Sequence, residues 1–386
     1  MAKQTVSIIG AGLSGLTLSR CLQQRGIPTI VYERTSTAAR HNYGITLYAS
    51  AYIPLLKTLN VSEKAFKSRV AVDEANGGAG SVRPISMGSV LGKLDEGEAC
   101  FQANRGNLED WLREGLDIRW DYTLQNIEPS SVPDGQPIAR FSNGQEVQTS
   151  VVVGADGPHS ALRNSLLPEI QLAVLPFVVF NGKRRIDRDL FEVALVPYLG
   201  ESNVITFRKD DIRIKLSIDN YTTERISISW TYSRPSRGAS DPLYKPERTL
   251  SGATKIPEKL FDELGSLLRP DLPQPFGTVL DEKEVRKDRL LHWLMRVILV
   301  PKDALRDIAS GGIVLIGDAV HAEPIVGGNG ANAAILDAVS LAEHIAKTQG
   351  SGLSSWYDSR YGEWEHDNMG AKANIETLHK STNAKI

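Results

Sequence analysis

The chain has 386 residues, with 44 Lys and Arg against 46 Asp and Glu, a formal net charge of −2. Hydrophobic residues make up 41% and charged residues 23%, the balance of an ordinary globular protein. That excludes an acidic disordered tail, a coiled coil, and a nucleic-acid binder, which would need a domain-wide basic excess.

At this length a single core is strained, so two domains or one large α/β unit with an insertion are expected. The first predicted strand is a β-branched run at residues 5–9, ending in Gly10-Ala11-Gly12-Leu13-Ser14-Gly15. A helix-compatible apolar stretch follows over 16–24, closed by Gly26 as a C-cap. A second strand over 29–32 ends at Glu33. Strand, helix and strand in this order read as a parallel pair, whose crossover needs a helix of about that length. Residues 104–116 read as a helix, and 117–128 and 138–153 as strands, the latter broken by an Asn143-Gly144 hairpin turn. Between about 165 and 309 the runs alternate, as in 204–218 and 225–232, and antiparallel sheet with a few helices is expected. From Gly312 the chain returns to a buried strand at 313–316, a glycine-rich loop, an apolar helix over 333–346 and a last amphipathic helix from about 353.

Cys21 and Cys100 are the only cysteines, too few for a disulfide framework in a chain this long. No secretory signal pattern opens the sequence, and no apolar run approaches the 18 or so residues of a membrane span. A cytoplasmic protein without a membrane span, a metal site or a nucleic-acid partner is expected.

Gly10, Gly12 and Gly15 satisfy G-x-G-x-x-G, and Glu33 follows about 20 residues on. The first glycine makes the tight turn, the second lets backbone approach a pyrophosphate, and the third permits close helix–strand packing. The helix N-terminus favours the anion and Glu33 accepts from a ribose hydroxyl. This reads as a dinucleotide site but does not distinguish FAD from NAD.

Two later segments bear on that choice: Val151-Val152-Val153-Gly154-Ala155-Asp156-Gly157-Pro158-His159-Ser160, running on to Arg163, and Gly312 through Ile316-Gly317-Asp318-Ala319-Val320-His321 to Gly327-Gly328-Asn329-Gly330-Ala331-Asn332 and Asp337. With Gly10, Ala11, Gly12, Leu13, Ser14, Gly15 and Glu33-Arg34, they resemble the three signatures of the FAD-dependent aromatic hydroxylases, the single-component flavoprotein monooxygenases that include para-hydroxybenzoate hydroxylase. Arg105, Leu108 and Leu112 resemble that family's R-x-x-L-x-x-x-L segment. The resemblance covers 1–165 and 310–350. It implies an α/β fold: a Rossmann-like FAD-binding domain, discontinuous over 1–165 and 310–386, with an inserted β-rich (α+β) substrate domain at 166–309 and a C-terminal helix. A small β-rich, substrate-facing segment has room near 70–100.

The resemblance also implies residue roles. Asp156 and Gly157 would lie where flavin and nicotinamide meet. Arg105 would reach the flavin diphosphate or ribose, and Asp318, after Gly317, the ribityl chain. Gly328, Gly330, Ala331 and Asn332, opening the last helices, would set backbone N–H groups against the flavin pyrimidine ring. The family's His-x-x-x-Pro is altered here: Pro324 comes three residues after His321 and Ile325 takes the usual proline place. His321 itself reads as structural.

The implied activity is an FAD-dependent monooxygenase using NADPH or NADH and O2 to hydroxylate or epoxidise an electron-rich small molecule (aromatic, enol or alkene) through a C4a-hydroperoxyflavin, in secondary metabolism or degradation. An FAD-dependent dehydrogenase of the same fold and a non-catalytic carrier are the alternatives. A flavin halogenase is disfavoured because W-x-W-x-I-P is absent. Substrate residues are expected from the insertion: Phe180, Phe207, Trp230 and Trp293, with Phe177 and Tyr232, lining an apolar pocket, and Arg40 and Pro324 facing the flavin. Ordinary sheet core is the competing reading for the aromatics. Lys183-Arg184-Arg185 read as a solvated strand end or an anion site. No residue stands out as a general base.

Overall fold

The computed structural model describes residues 5–37, 42–83, 85–87, 99–129, 136–268, 272–327 and 329–380. In chain order, the elements that shape its first half are β1 (Val6–Ile9), α1 (Leu13–Gln24), β2 (Thr29–Glu33), β3 (Gly44–Tyr48), β4 (Cys100–Asn104), α2 (Arg105–Arg113), β5 (Ile118–Trp120) and β6 (Val151–Gly154). The second half adds β7 (Phe177–Asp187), β8 (Val204–Lys209), β9 (Ile212–Tyr221), β10 (Arg225–Pro235), β11 (Arg289–Trp293), β12 (Ile313–Leu315), α3 (Gly330–Thr348) and α4 (Leu353–Leu378).

β12, β6, β1, β2 and β5 form a five-stranded parallel sheet in that order. Its central strands are buried on both faces, with Ile8, Val31, Val152, Val153 and Val314 fully enclosed, while the edge strand β5 is partly open. That is why they read as unbroken apolar runs rather than alternating ones. The α1 helix starts three residues ahead of its apolar stretch, because Gly12 takes the extended N-cap conformation and leaves Leu13 free to begin the first turn. The two expected strands 117–128 and 138–153 each divide between sheets. Asp121, in the left-handed region at φ 62°, separates β5 from Leu124–Glu128. The latter pairs with Ile138–Phe141 in a small antiparallel sheet, while β6 joins the parallel one.

A six-stranded sheet runs β11, β7, β10, β9, β8 and the edge strand Ile85–Met87, antiparallel except at that edge. One of its faces, with Phe180, Ile214, Ile228 and Trp230, builds a second hydrophobic core against the short helices of the 188–285 region. The other face meets the antiparallel β3–β4 ribbon. There the Gly44 N–H donates to Asp219 Oδ1 (2.8 Å), Asn104 Nδ2 to the Asp219 carbonyl (2.8 Å) and Gln102 Nε2 to Ser217 Oγ (2.8 Å).

The α4 helix joins the two sheets. Its buried stripe places Trp356, Tyr357 and Trp364 in the first core and Ile375 in a small cluster on the second sheet. The Tyr357 hydroxyl accepts from the Leu315 N–H (2.8 Å), and just past the helix His379 pairs with Ser233 (2.9 Å). Among the described residues no helix is long and apolar enough to cross a membrane.

Candidate active site

The glycine-rich turn is packed to contact. A Cβ at Gly10, whose φ is +105°, would lie 2.5 Å from the Ala155 carbonyl oxygen, and one at Gly15 only 2.0 Å from that of Gly10. Gly12 differs: nothing lies within 4 Å of where its Cβ would be. Two glycines thus let α1, β1 and β6 close together, and the third presents bare backbone to open space. Gly12 caps α1 without a side-chain hydrogen bond, while Leu13, Ser14 and Gly15 are buried in the first turn. Glu33 is buried at the end of β2. Its Oε2 accepts from the Ala11 N–H (2.8 Å) and its Oε1 from that of Thr35 (2.9 Å), fixing the turn from below. Arg34 is exposed beyond it.

Asp156 follows β6 beside Gly10. Its Oδ2 accepts from the Ala161 and Leu162 N–H groups (2.7 and 3.2 Å), capping a short helix, while Oδ1 is buried with no partner among the described residues. Burial raises its pKa, against the pull of Ser160 and those N–H groups. Gly157, at φ +81°, makes the turn. Arg163 ties this turn to the strand β12 exit, donating to the carbonyls of Pro158 and Ala319 (both 2.8 Å).

At that exit Gly317 has φ +59°, and a Cβ there would stand 3.1 Å from Ser14 Oγ, so the third signature lies against the first. The Asp318 carboxylate has no hydrogen-bond partner among the described residues. Its pKa is raised by burial, opposed by His321 and Arg105. Gly330 opens α3 within 3.5 Å of Asp318 Oδ1, counted from its would-be Cβ, with Ala331 half-buried beside it. Asn332 is used as a clamp: Oδ1 accepts from the Tyr48 N–H (2.9 Å) and Nδ2 donates to the Thr46 carbonyl (3.1 Å), holding α3 on β3. Pro324 is buried, and Ile325 is 49% exposed. Gly328 and Arg40 lie outside the described residues.

Arg105 is the first residue of α2. Its Nε donates to Glu109 (2.9 Å) and its Nη1 to the Tyr43 hydroxyl, and its guanidinium lies 5.5 Å from the Tyr43 ring centroid. Burial works against its charge, but Tyr43 and Glu109 outweigh it and raise the pKa. Lys183 Nζ sits over the same ring at 5.1 Å and donates to the Asn42 carbonyl (2.6 Å).

The aromatic residues expected to line a pocket are not brought to this place. Phe180, Phe207 and Trp230 alternate onto the far face of the six-stranded sheet, where they are buried. Phe180 stacks on His292 (4.7 Å) and Phe207 packs on Phe276 (5.6 Å). The Trp230 indole N–H donates to Asp288 (2.8 Å), its ring lying over Gly182, where a Cβ would fall 2.2 Å away. Tyr232 is buried there too. Trp293 and Phe177 sit on the near face, Trp293 half-buried and Phe177 buried, in a cluster with Val179, Met295, Ile375 and Val326 of the glycine-rich loop. Of the basic triplet, Arg184 pairs with Asp288 in the far core (2.7 Å), Lys183 reaches the site, and Arg185 is exposed.

Three roles escaped the sequence reading. Tyr43 links Arg105 to Lys183. Asp337, one turn and more into α3, is the hub under His321. Glu323 is half-buried, its carboxyl pushed up to about 7 by burial, with His321 opposing and Asp367, Asp318 and Asp337 adding to the rise. It is a group beside Asp318 that changes charge near neutrality. Asp337 closes the third signature, but the side chains that make it a hub come from another helix.

These residues fit FAD. Bare backbone at Gly12, the unpartnered Asp156 Oδ1 and the unpartnered Asp318 carboxylate come from three distant stretches of chain and leave polar groups for a ligand to satisfy.

A family model described as "FAD binding domain" matches residues 3–249 and 286–363. The chain is 32% identical to the FAD-dependent monooxygenase adaC of Aspergillus niger, over 97% of this chain and 93% of that protein. It is 34% identical to the FAD-dependent monooxygenase vrtH of Penicillium aethiopicum, over 89% and 84%. In fold it resembles the crystal structure of 2,6-dihydroxypyridine-3-hydroxylase from Arthrobacter nicotinovorans, with a TM-score of 0.74 and 17% identity over 99% of this chain and 96% of that one. The chain belongs to the FAD-binding-domain family, among its FAD-dependent monooxygenases.

Proposed function

We propose that the protein hydroxylates or epoxidises an electron-rich carbon of a small aromatic, enol or alkene substrate, using NADPH or NADH and O2. The observation that carries this reading is the convergence of Gly12, Asp156 and Asp318 on one space beside Arg105. FAD, when bound there, supplies reduction by a nicotinamide and activation of oxygen.

In this reading the residues hold and shield. Gly12 and the start of α1 receive the pyrophosphate, Glu33 meets a ribose hydroxyl, and Arg105 neutralises phosphate or meets ribose oxygen. Asp318 accepts from ribityl hydroxyls. Gly330 to Asn332 turn the positive end of α3 toward the pyrimidine edge, where negative charge develops on reduction. Asp156 and Gly157 line the approach of the nicotinamide. The β-rich insertion, residues 166–309, covers the site as the substrate domain and keeps water out.

A basic patch beside the Gly157 turn supports the nicotinamide assignment. Burial, then Arg296, Arg34 and Arg163, hold the His159 pKa below its ordinary value. Burial and Arg296 do the same to Arg248. None of Arg34, Arg248 and Arg296 pairs with a carboxylate among the described residues, and, since Arg248 donates to the Thr249 and His292 carbonyls, Arg34 and Arg296 are the cations left for dinucleotide phosphates.

The test is purification followed by oxygen uptake. A yellow protein whose NADPH or NADH oxidation consumes O2 and is stimulated by substrate fits the proposal. Turnover only with an artificial acceptor, without oxygen, would make it a dehydrogenase, and colourless protein that takes up no FAD would make it a carrier.

A further inference from the structure

The near face of the six-stranded sheet is polar and graded. Pairing across β7, β10, β9 and β8 lines up three successive rungs on this face. The first is Val179, Ser233, Arg213 and Arg208, the second Asn181, Thr231, Lys215 and Thr206, and the third Lys183, Ser229, Ser217 and Val204. Both ends are pinned to segments of the FAD site. At the third rung Ser217 bonds Gln102, and Lys183 reaches Asn42 and Tyr43, the partner of Arg105. At the first, Val179 packs with Val326 of the glycine-rich loop, and Ser233 is covered by His379. The middle rung therefore lies between Arg105 and the loop after Asp318, over the place assigned to the flavin.

That rung is not satisfied by the protein. Lys215 and, one rung away, Arg213 are both half-buried, and neither makes a hydrogen bond or ion pair with any described residue. Among the described residues the carboxylate acting on Lys215 is that of Asp219, whose Oδ1 accepts from Ser229 and Gly44 while its buried Oδ2 has Lys183 at 3.7 Å and no hydrogen-bond donor. Asn181 is 2% exposed; its Nδ2 donates to the Trp230 carbonyl (3.0 Å), while Oδ1 has no donor. Burial and Arg213 bring the Lys215 pKa down to about 8, with Asp219 opposing, so near neutrality the ammonium is largely charged. Two adjacent cations partly withdrawn from water, with no ion pair of their own among the described residues and only the shared Asp219 charge nearby, are costly, and a ligand carboxylate relieves both.

We propose that Lys215, flanked by Arg213, Thr231 and Asn181, is the substrate-orienting subsite, and that the substrate is an organic anion: an aromatic or enolic carboxylate whose charge meets Lys215 and whose neighbouring hydroxyl has the Asn181 oxygen as acceptor. This rests on the monooxygenase reading above and narrows its substrate class. Held at one end by its carboxylate, such a molecule presents a fixed ring position to the flavin, which is what regiochemical control requires.

The probes are 1-hydroxy-2-naphthoate and its methyl ester, titrated in parallel into the FAD-loaded protein and followed by the change in the flavin absorption spectrum. Wild-type protein should bind the carboxylate at least about ten-fold more tightly than the ester. Lys215→Met should collapse that ratio toward one, and Lys215→Arg should keep most of it. No preference in the wild type, or a preference that survives Lys215→Met, overturns the proposal. Should Lys215→Met lose its flavin, the wild-type ratio and Arg213→Met, expected to lower it, decide instead. The two readings fail separately. Preference for the carboxylate without NADPH-dependent oxygen uptake leaves the subsite and removes the monooxygenase reading; oxygen uptake without the preference does the reverse.

Discussion

His321 Nε2 lies 2.5 Å from Asp337 Oδ2 in a region closed to solvent, and the pair fixes the loop that carries Asp318. The same carboxylate accepts from the Gly317 N–H (3.0 Å), Arg360 Nη2 (3.0 Å) and the Trp364 indole (2.9 Å), while the Trp364 ring stacks on His321 at 4.7 Å. One side chain of α3 thus joins the β12 exit to α4. Asp337→Asn leaves Arg360 and His321 buried with a neutral partner, a loss on the order of 3 kcal/mol. The expected outcome is a drop in Tm of about 4 °C for a chain of 386 residues, read by thermal unfolding; a variant melting with the wild type would show that the network carries no stability.

The same pair sets a pH window. Burial opposes charge on Asp337, but His321 and Arg360 hold its carboxyl at about 2. Its contribution is complete above the ordinary 3.8 and is lost as pH falls toward 2. For His321 burial again opposes, yet Asp337 raises the imidazole above 6.5. That contribution is complete below 6.5 and is lost as pH rises through the folded value. The Tm difference between wild type and Asp337→Asn should therefore be largest between pH 3.8 and 6.5. A difference that is flat with pH would remove the ionic account.

The sequence exposes the cofactor half of this molecule far better than the substrate half. Gly10, Gly15, Asp156 and Asp318 act through local backbone geometry and strand ends, which short motifs record. In the insertion, period-two alternation says which residues share a face but not which face meets the flavin. Phe180, Phe207 and Trp230 look like a pocket because they are large and apolar, and for that reason they fill the core. The face left for the site carries Asn181, Thr231 and Lys215, polar residues of alternating strands whose place is set only by the β3–β4 ribbon and α4, which cover its two ends. The divided strands have a similar origin: Asp121 turns the chain between sheets without interrupting its β-rich character. The role of Asp337, named only as the end of a signature, was not legible because its partners Arg360 and Trp364 come from another helix.

Gly12 and Gly15 separate ligand binding from packing. A Cβ at Gly15 collides with the Gly10 carbonyl at 2.0 Å, whereas one at Gly12 meets nothing within 4 Å, and Gly12 has φ −85°, ψ −173°, which alanine adopts freely. Gly15→Ala should lower the Tm of FAD-stripped protein, with a cost of roughly 1–3 kcal/mol typical of overpacking. Gly12→Ala should leave that Tm unchanged and weaken FAD binding about ten-fold by keeping the pyrophosphate off the backbone. Equal effects on both quantities in both variants would refute the division.

Asp318 has no protein partner to lose among the described residues, so its removal tests the ribityl role cleanly. Asp318→Ala should leave the apoprotein as stable as the wild type, or slightly more so, because a buried unpaired carboxyl is gone. FAD affinity should fall by the worth of a hydrogen bond to a charged group, about 1.5–3 kcal/mol, measured by equilibrium titration of stripped protein. Undiminished FAD affinity would place the ribityl chain elsewhere.

Arg296 tests the nicotinamide assignment without touching the flavin residues. It is half-buried, with its pKa lowered by that burial, and it acts on His159, two residues past Gly157, as well as on Arg248. A phosphate arriving there gains a partner already partly withdrawn from water, where charge-assisted bonds are strongest. Arg34 is exposed, and screening reduces what it contributes. Arg296→Ala should therefore raise the NADPH or NADH concentration that half-saturates flavin reduction by about ten-fold, the equivalent of ~1.4 kcal/mol. Arg34→Ala should raise it only a few-fold. Both variants should keep full FAD occupancy, and their reduction rates at saturating nicotinamide should stay near that of the wild type, because the contact is with phosphate rather than with the hydride-donating ring. The measurement is anaerobic stopped-flow reduction across a nicotinamide concentration series. An Arg296→Ala protein with unchanged half-saturation would send the dinucleotide to another face of the molecule.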